Sequence, residues 1–299
     1  MDEAFAEKLD RDTLRALSQR SDIKGLVRLF SHFSLLAALA VGIAVVPLSL
    51  WLVPLFAVYG ALLIFLFAPQ HEAIHRTAFR AHWLNDGVAL LAGAVLVLPP
   101  GYFREFHFAH HRHTQDAALD PELASAKPSN LGAYLWLISG LPYWRERITT
   151  TVRHAFGRVE ETFIAPRKRR QIMREARLYL LLYGAVIAAS LAAGSLAIAF
   201  YWLAPALLGQ PALRLLLLAE HGGCPRVADM LKNSRTTRSN AFVRWFAWNM
   251  PYHAEHHAYP GLPFHALPAA HGHLAAAIET QSGGYLAVNW GMMKAIMAR

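Results

Sequence analysis

Charged residues vanish twice along this chain. Between Arg28 and Arg76 there is no lysine or arginine, and the one acidic residue, Glu72, sits near the end of the interval. From Leu178 to Leu213 there is no charged residue of any kind. About 20 apolar residues in a helix cross the hydrocarbon core of a bilayer, so each interval holds two spans and a tight turn. The pattern predicts spans near 32–48, 51–69, 178–194 and 197–217. Pro47 and Pro54 mark the first turn, and Gly194 with Ser195 the second. Two shorter apolar stretches, 87–100 and 131–142, are interrupted or followed by Pro99-Pro100-Gly101 and Gly140-Leu141-Pro142. They are too short to span in comfort and read as interfacial or re-entrant.

If each interval is a hairpin, residues 1–30, 70–177 and 218–299 share one side of the membrane. Nearly every lysine and arginine lies there, which makes that side the cytoplasm. The expected fold is an all-α membrane protein. Four transmembrane helices form two hairpins, 31–69 and 178–217, under a cytosolic helical cap made of 70–177 and 218–299. Residues 1–30 are an interfacial N-terminus, and 1–299 form a single domain without repeats. The first 28 residues are too charged for a cleavable signal peptide, so the N-terminus is expected to stay cytoplasmic, with the C-terminus beside it.

Composition agrees: 55% of residues are hydrophobic and 16% charged. A net charge of +9 would suggest nucleic acid in a soluble protein. Here the basic residues follow the membrane topology instead, and no nucleic-acid partner is expected. The single cysteine, Cys224, cannot form an intramolecular disulfide and reads as an inert buried thiol.

Sixteen histidines change the picture more than any other residue type. Three groups stand out: His71-Glu-Ala-Ile-His75, His107-Phe-Ala-His110-His111 and His253-Ala-Glu-His256-His257. Positions i, i+3 and i+4 share one helix face, so each group can aim two or three imidazoles at a common point. Eight ligands exceed the needs of one ion and imply two. Imidazole suits iron, zinc, copper and nickel, so residue type alone leaves the metal open. Asn249 is expected to cap the third helix, with Pro251 in its first turn and Pro260-Gly261 as its stop. Glu72, Glu105, Asp116, Asp120, Glu220 and Glu255 lie close enough in sequence to orient imidazole N–H groups. His32, His82, His154, His265, His271 and His273 read as structural or interfacial. His113 falls off the ligand face as a donor behind it. Trp83, Trp245, Trp248 and Tyr252 read as an interfacial aromatic belt.

The three boxes resemble those of the membrane fatty acid desaturases and their hydroxylase and ketolase relatives, from about Ser31 to His273. The resemblance implies two iron ions held by His71, His75, His107, His110, His111, His253, His256 and His257. A further ligand near the end of the fourth span is matched by His221. It implies O2 as co-substrate and an acyl or lipid substrate drawn from the bilayer. No catalytic residue beyond the metal ligands is assigned. The third box, Asn249 to Pro260, has the look of the acyl desaturases, which favours desaturation. Hydroxylation or ketolation of an apolar substrate stays open because those relatives share the boxes.

Removing hydrogen from an unactivated methylene is beyond acid–base side chains, which again points to a metal and oxygen. The chain has no Cys-rich motif, dinucleotide fingerprint or His-Pro-Gly-Gly, so a separate electron donor of ferredoxin or cytochrome b5 type is expected. The run Arg167-Lys168-Arg169-Arg170, followed by Arg174 and Arg177, is first a topology signal and lipid anchor, and second a docking face for an acidic donor. The expected location is a bacterial inner membrane. A rival lies in the first box, which also fits the His-Glu-x-x-His of zinc metallopeptidases, with Glu72 as general base. That reading leaves the six histidines of the other two boxes unexplained.

Overall fold

The computed structural model describes residues 9–124 and 128–298. Its helices are α1 (Arg11–Leu17), α2 (Asp22–Val45), α3 (Leu52–Ile64), α4 (Phe67–His75), α5 (His82–Leu96), α6 (Pro100–His113), α7 (Leu131–Ile138), α8 (Leu141–Ala155), α9 (Pro166–Ala192) and α10 (Ala204–His221). The C-terminal part holds α11 (Met230–Asn233), α12 (Ala241–Phe246), α13 (His253–Ala258), α14 (Leu267–Leu274) and α15 (Tyr285–Met297). Strands β1 (Arg235–Thr237) and β2 (Thr280–Ser282) pair in parallel, Arg235 opposite Thr280.

Four helices are long and apolar enough to cross a membrane: Asp22–Val45, Leu52–His75, Pro166–Ala192 and Ala199–His221. They are the four anticipated spans with later or earlier ends. The first begins at Asp22 because Ser21 caps it, accepting from the Lys24 amide at 3.3 Å. The third begins at Pro166, whose missing N–H costs nothing in a first turn, so the basic run lies inside the helix. The second and fourth run on to His75 and His221, which places the first box and His221 in the last turns of spans.

α2 packs against α3, and the most extensive helix contact of the fold joins α3 to α10. There the two backbones touch. A Cβ on Gly60 would collide with the Pro205 carbonyl, and one on Gly209 with the backbone of Gly60 and Ala61. Close approach through small residues is how helices gain contact where no hydrophobic effect drives them together.

The stretch 87–100 is the broken element its prolines suggested. α5 and α6 meet at 94°, with Val97 in the left-handed region at the corner. Breaking a helix orphans its last carbonyls, and in apolar surroundings each must find another donor. Four side chains supply them, and Tyr179 adds a bond to Leu90 O, a carbonyl still paired within α5. Tyr179 Oη donates to Leu90 O (2.6 Å), Tyr183 Oη to Ala94 O (2.7 Å), Trp202 Nε1 to Val95 O (2.9 Å), Tyr143 Oη to Leu96 O (2.9 Å) and Gln70 Nε2 to Leu98 O (2.7 Å). Gly93 lets them in, since a Cβ there would strike Leu98 O, Gln70 and the Tyr179 hydroxyl. Trp202→Phe keeps the packing but strands the Val95 carbonyl, at a cost of about 1–3 kcal/mol. The expected result is a lower unfolding temperature in detergent; an unchanged midpoint would show that the bond contributes nothing.

The third box is gripped by a small second core. Leu9, Leu231, Ala254, Leu262, Leu267, Ala270, Leu274 and Ile278 bury together, and the Leu9 amide donates to Tyr259 Oη at 3.2 Å. Two expectations fail here. Asn249 does not cap α13: its backbone is left-handed (φ 62°), and its Nδ2 donates to Phe264 O at 2.9 Å, binding the chain before the box to the chain after it. Trp248 is no belt residue either, being fully buried with its ring 4.7 Å from that of Phe264.

Candidate metal centre

Three backbone segments deliver histidines to one place, and α10 adds a fourth. On α4, His71 and His75 stand one turn apart, and the helix end is pinned by Arg104, which donates to Ile74 O. α6 starts at Pro100, with its Gly101 amide on Glu175 Oε2 at 2.7 Å, and carries His107, His110 and His111. α13 carries His253, His256 and His257.

These side chains assemble into two groups. His71, His75, His107, His111 and His256 offer ligand atoms that all lie within 4.8 Å of one another, as do those of His110, His221 and His257. His253 joins the second group, with its Nε2 2.9 Å from His221 Nε2. All nine anticipated histidines therefore fall in or beside the two groups. Each His-x2-His-His box is split between the groups: box two sends its i, i+4 pair to the first, and box three sends its i, i+4 pair to the second.

The spacing within the groups is chemically informative. Nε2 atoms of His71 and His107 are 2.7 Å apart, of His107 and His111 2.9 Å, of His256 and His111 3.2 Å, and of His110 and His221 3.2 Å. Two nitrogens bound at right angles to one ion about 2.1 Å away stand about 3 Å apart. His75 Nε2 and His257 Nε2 are buried without a protein partner, as ligand atoms would be. The residues present thus fit a pair of metal ions.

Protonation fits as well. Burial pushes His107, His111, His253, His256 and His257 well below the ordinary histidine range, and neighbouring imidazoles push further, so these rings are neutral and keep a lone pair. His110 moves the other way: burial pulls it down, but Glu122 and Asp120 outweigh that and raise it. In the unfolded chain these rings take up protons below about 6.5, while the native lowered rings do not. The metal-free protein should therefore lose stability as pH falls below that value, each lowered ring contributing up to about 1.4 kcal/mol per pH unit. Denaturant midpoints of chelator-treated protein between neutral and mildly acid pH would test this; a flat profile contradicts it.

The two groups differ in what stands behind them. In the second, His110 Nδ1 donates to Asp120 Oδ1 at 2.9 Å, His221 Nδ1 to Asn233 O at 3.1 Å, and His257 Nδ1 lies 3.2 Å from Thr114 Oγ1. His253 Nδ1 lies 3.3 Å from Glu220 Oε1 but makes no hydrogen bond there. The partners of His110, His221 and His257 fix ring orientation and leave Nε2 free to ligate. In the first group, Nδ1 of His71, His111 and His256 is buried without a hydrogen-bond partner, and Glu72 Oε1 is 3.9 Å from His71 Nδ1. Thr114 and Asn233 escaped the sequence reading, because neither residue type nor spacing marks a side chain or carbonyl that meets an imidazole across the fold.

Other candidates fall elsewhere. Glu255 accepts from Thr236 Oγ1 at 2.6 Å and pairs with His271, tying α13 to β1 and α14. Asp116 accepts from the amides of Ala118 and Leu119 in the turn after α6. His113 and Glu105 belong to neither group. His32, buried, bonds to Leu62 O at 2.9 Å, and His154 to Glu161 at 2.9 Å, so both are structural as expected.

A sequence model of the fatty acid desaturase family matches residues 47–289. The chain belongs to that family. It is 24% identical over 309 residues to the sn-1 oleoyl-lipid 12-desaturase of Picosynechococcus sp., covering 95% of this chain and 86% of the relative. It is 27% identical over 307 residues to the dihydrorhizobitoxine desaturase of Bradyrhizobium elkanii, covering 96% and 85%. A shorter match, 32% over 118 residues, joins it to the sn-1 oleoyl-lipid 12-desaturase of Synechocystis sp., covering 36% and 33%.

The protein is accordingly an oxidoreductase of a membrane-bound, metal-dependent family. Its Glu72 is not placed as a peptidase base would be. Glu72 Oε2 accepts from Thr77 Oγ1 at 2.7 Å and from the Phe264 amide at 3.1 Å, and the residue is fully buried as a tie between α4 and the segment after α13. A cavity of about 480 Å³ reaches the second histidine group at His110 and His221.

Proposed function

We propose that this desaturase is a di-iron enzyme that uses O2 to introduce a double bond into the acyl chain of a membrane lipid. The observation that carries this reading is the assembly of nine histidines at the ends of two spans, in groups of five and four. A structural zinc site takes four tetrahedral ligands, and a catalytic zinc three with an open position. Five imidazoles with near-right-angle spacing exceed both. The name sn-1 oleoyl-lipid 12-desaturase, borne by two relatives, supports a lipid-linked acyl chain.

His71, His75, His107, His111 and His256 would hold one iron, and His110, His221, His253 and His257 the other. Iron, when bound, supplies the redox chemistry with O2 that no side chain offers. The overall balance is one CH2–CH2 unit, O2, two electrons and two protons giving one CH=CH unit and two waters. Asp120 orients the His110 imidazole and sets its proton position at Nδ1, and Glu220 stands beside His253. Leu217 and Leu218, at the end of α10, keep water from the reacting carbons. The electrons come from a separate donor of ferredoxin or cytochrome b5 type. The enzyme is multi-pass in a bacterial inner membrane, with its termini and boxes on the cytoplasmic side.

Detergent-purified protein should contain about two irons per chain. Cells expressing it should accumulate lipid lighter by two hydrogens, absent from a His256→Ala strain. Lipid heavier by one oxygen would make the enzyme a hydroxylase. Zinc as the bound metal with unchanged lipids would overturn the proposal.

A further inference from the structure

The cavity that touches His110 and His221 is walled by α7, α10 and α15. Its inner end is polar, since Asp120 and Gln115 stand there with the two histidines. The rest of the wall is mostly apolar, with Leu137 from α7, Leu217 and Leu218 from α10, and Met292 and Ile296 from α15, while Glu122 and the exposed Arg226 also line it. Leu137, Leu217, Met292 and Ile296 are half-buried, so the cavity is open to the outside. Its volume lies in the range of ligand pockets.

Two features say what enters it. α7 and α15 expose large apolar side chains on their outer faces, Leu131, Leu135 and Trp136 on one, Leu286, Trp290 and Met297 on the other. Helices so built lie in the membrane interface, which makes this an opening toward lipid. The inner end is the ligand-bearing end of α10, so whatever fills the cavity meets the histidine centre. A long apolar chain satisfies both conditions.

Met292 occupies the position on α15 that controls the inner end. Its sulfur packs on Gly222, the residue immediately after His221, where a Cβ would strike both Leu218 O and the Met292 sulfur. The helix is held in register by one buried amide, three residues earlier. Asn289 Oδ1 accepts from Tyr134 Oη at 2.7 Å, and Asn289 Nδ2 donates to Leu215 O at 2.9 Å and Tyr285 O at 2.8 Å. A fully satisfied buried amide fixes α15 against α7 and α10, and so fixes where the Met292 thioether stands.

We propose that the cavity between α7, α10 and α15 holds the acyl chain as it passes the histidine centre, and that Met292 gauges which methylene stands there. This rests on the desaturase reading above. Met292→Phe shortens the space beyond His221, and Met292→Ala lengthens it. One methylene of misfit in an apolar pocket is worth roughly tenfold or more in selectivity.

The test uses full-length protein in expressing cells. An oleate analogue with a diazirine at its methyl end is fed and photolysed, and the labelled peptides are mapped. Labels on Leu217–Leu218 and on the Met292 segment are expected. In parallel, double-bond positions and chain lengths are compared for wild type, Met292→Ala and Met292→Phe, with iron content as a check on folding. Met292→Phe should reduce product from the longest chains roughly tenfold relative to shorter ones, and Met292→Ala should yield mixed double-bond positions. If both variants keep iron and the wild-type products, or if labels map away from α10 and α15, the proposal is overturned. If wild type forms no double bond while the diazirine still labels Met292, the pocket stands and the reaction assignment falls.

Discussion

His107→Ala should abolish double-bond formation, with iron falling toward one per chain. His107 Nε2 sits between His71 Nε2 at 2.7 Å and His111 Nε2 at 2.9 Å, at the middle of the first group. Losing a partner behind a ligand typically costs 10- to 100-fold in metal affinity or activity. Losing the ligand itself should cost more than a hundredfold, and should spare the second group, with which His107 shares only its helix. Asp120→Asn is the graded counterpart: it weakens the acceptor behind His110, and activity should fall about 10- to 100-fold with the first group intact. Iron content and product yield measured on the same preparations check both. A His107→Ala protein with full iron and wild-type product would remove the centre from the reaction.

Gly209→Leu should leave no folded protein. The side chain would have to occupy the space of the Gly60 and Ala61 backbone, which cannot retreat without separating α3 from α10. Overpacking that displaces side chains costs about 1–3 kcal/mol, and displacing backbone costs more. Against a total stability of about 5–15 kcal/mol, that is enough to unfold a domain. Gly184→Leu is the control, because a Cβ there meets nothing within 4 Å on the lipid-facing side of α9. The expected readout is an aggregate for Gly209→Leu and a single detergent-exclusion peak for Gly184→Leu. Two matching peaks would mean that the α3–α10 contact is dispensable.

The two charge-poor intervals sufficed to find the four helices long and apolar enough to span, because a bilayer disfavours unpaired charge over a fixed length. Their ends were less visible. Ser21 and Pro166 start helices inside charged sequence, where local capping rather than hydropathy decides. The nine histidines were legible from i, i+3, i+4 spacing and, for His221, from resemblance. Their partition was not: His107 and His110 lie on one helix face, and only the crossing of α4, α6, α10 and α13 sends them to different groups. The Asn249 expectation failed for a related reason. Its amide can satisfy a helix start or the Phe264 carbonyl, and the tertiary partner, 15 residues away in sequence, prevails.

The bent corner between α5 and α6 also sets a chronology. Of the four donors that cover its bare carbonyls, only Gln70 precedes it in the chain; Tyr143, Tyr183 and Trp202 all follow. A nascent chain that has just emerged as far as His113 has all three histidines of its second box and a corner with most of its carbonyls bare. The corner reaches its final state only after residue 202 has been made, and the last ligands, on α13, arrive later still. Synthesis from N- to C-terminus therefore builds the scaffold before it can close the ligand set, and neither histidine group is complete until α13, which follows the membrane part, has been made.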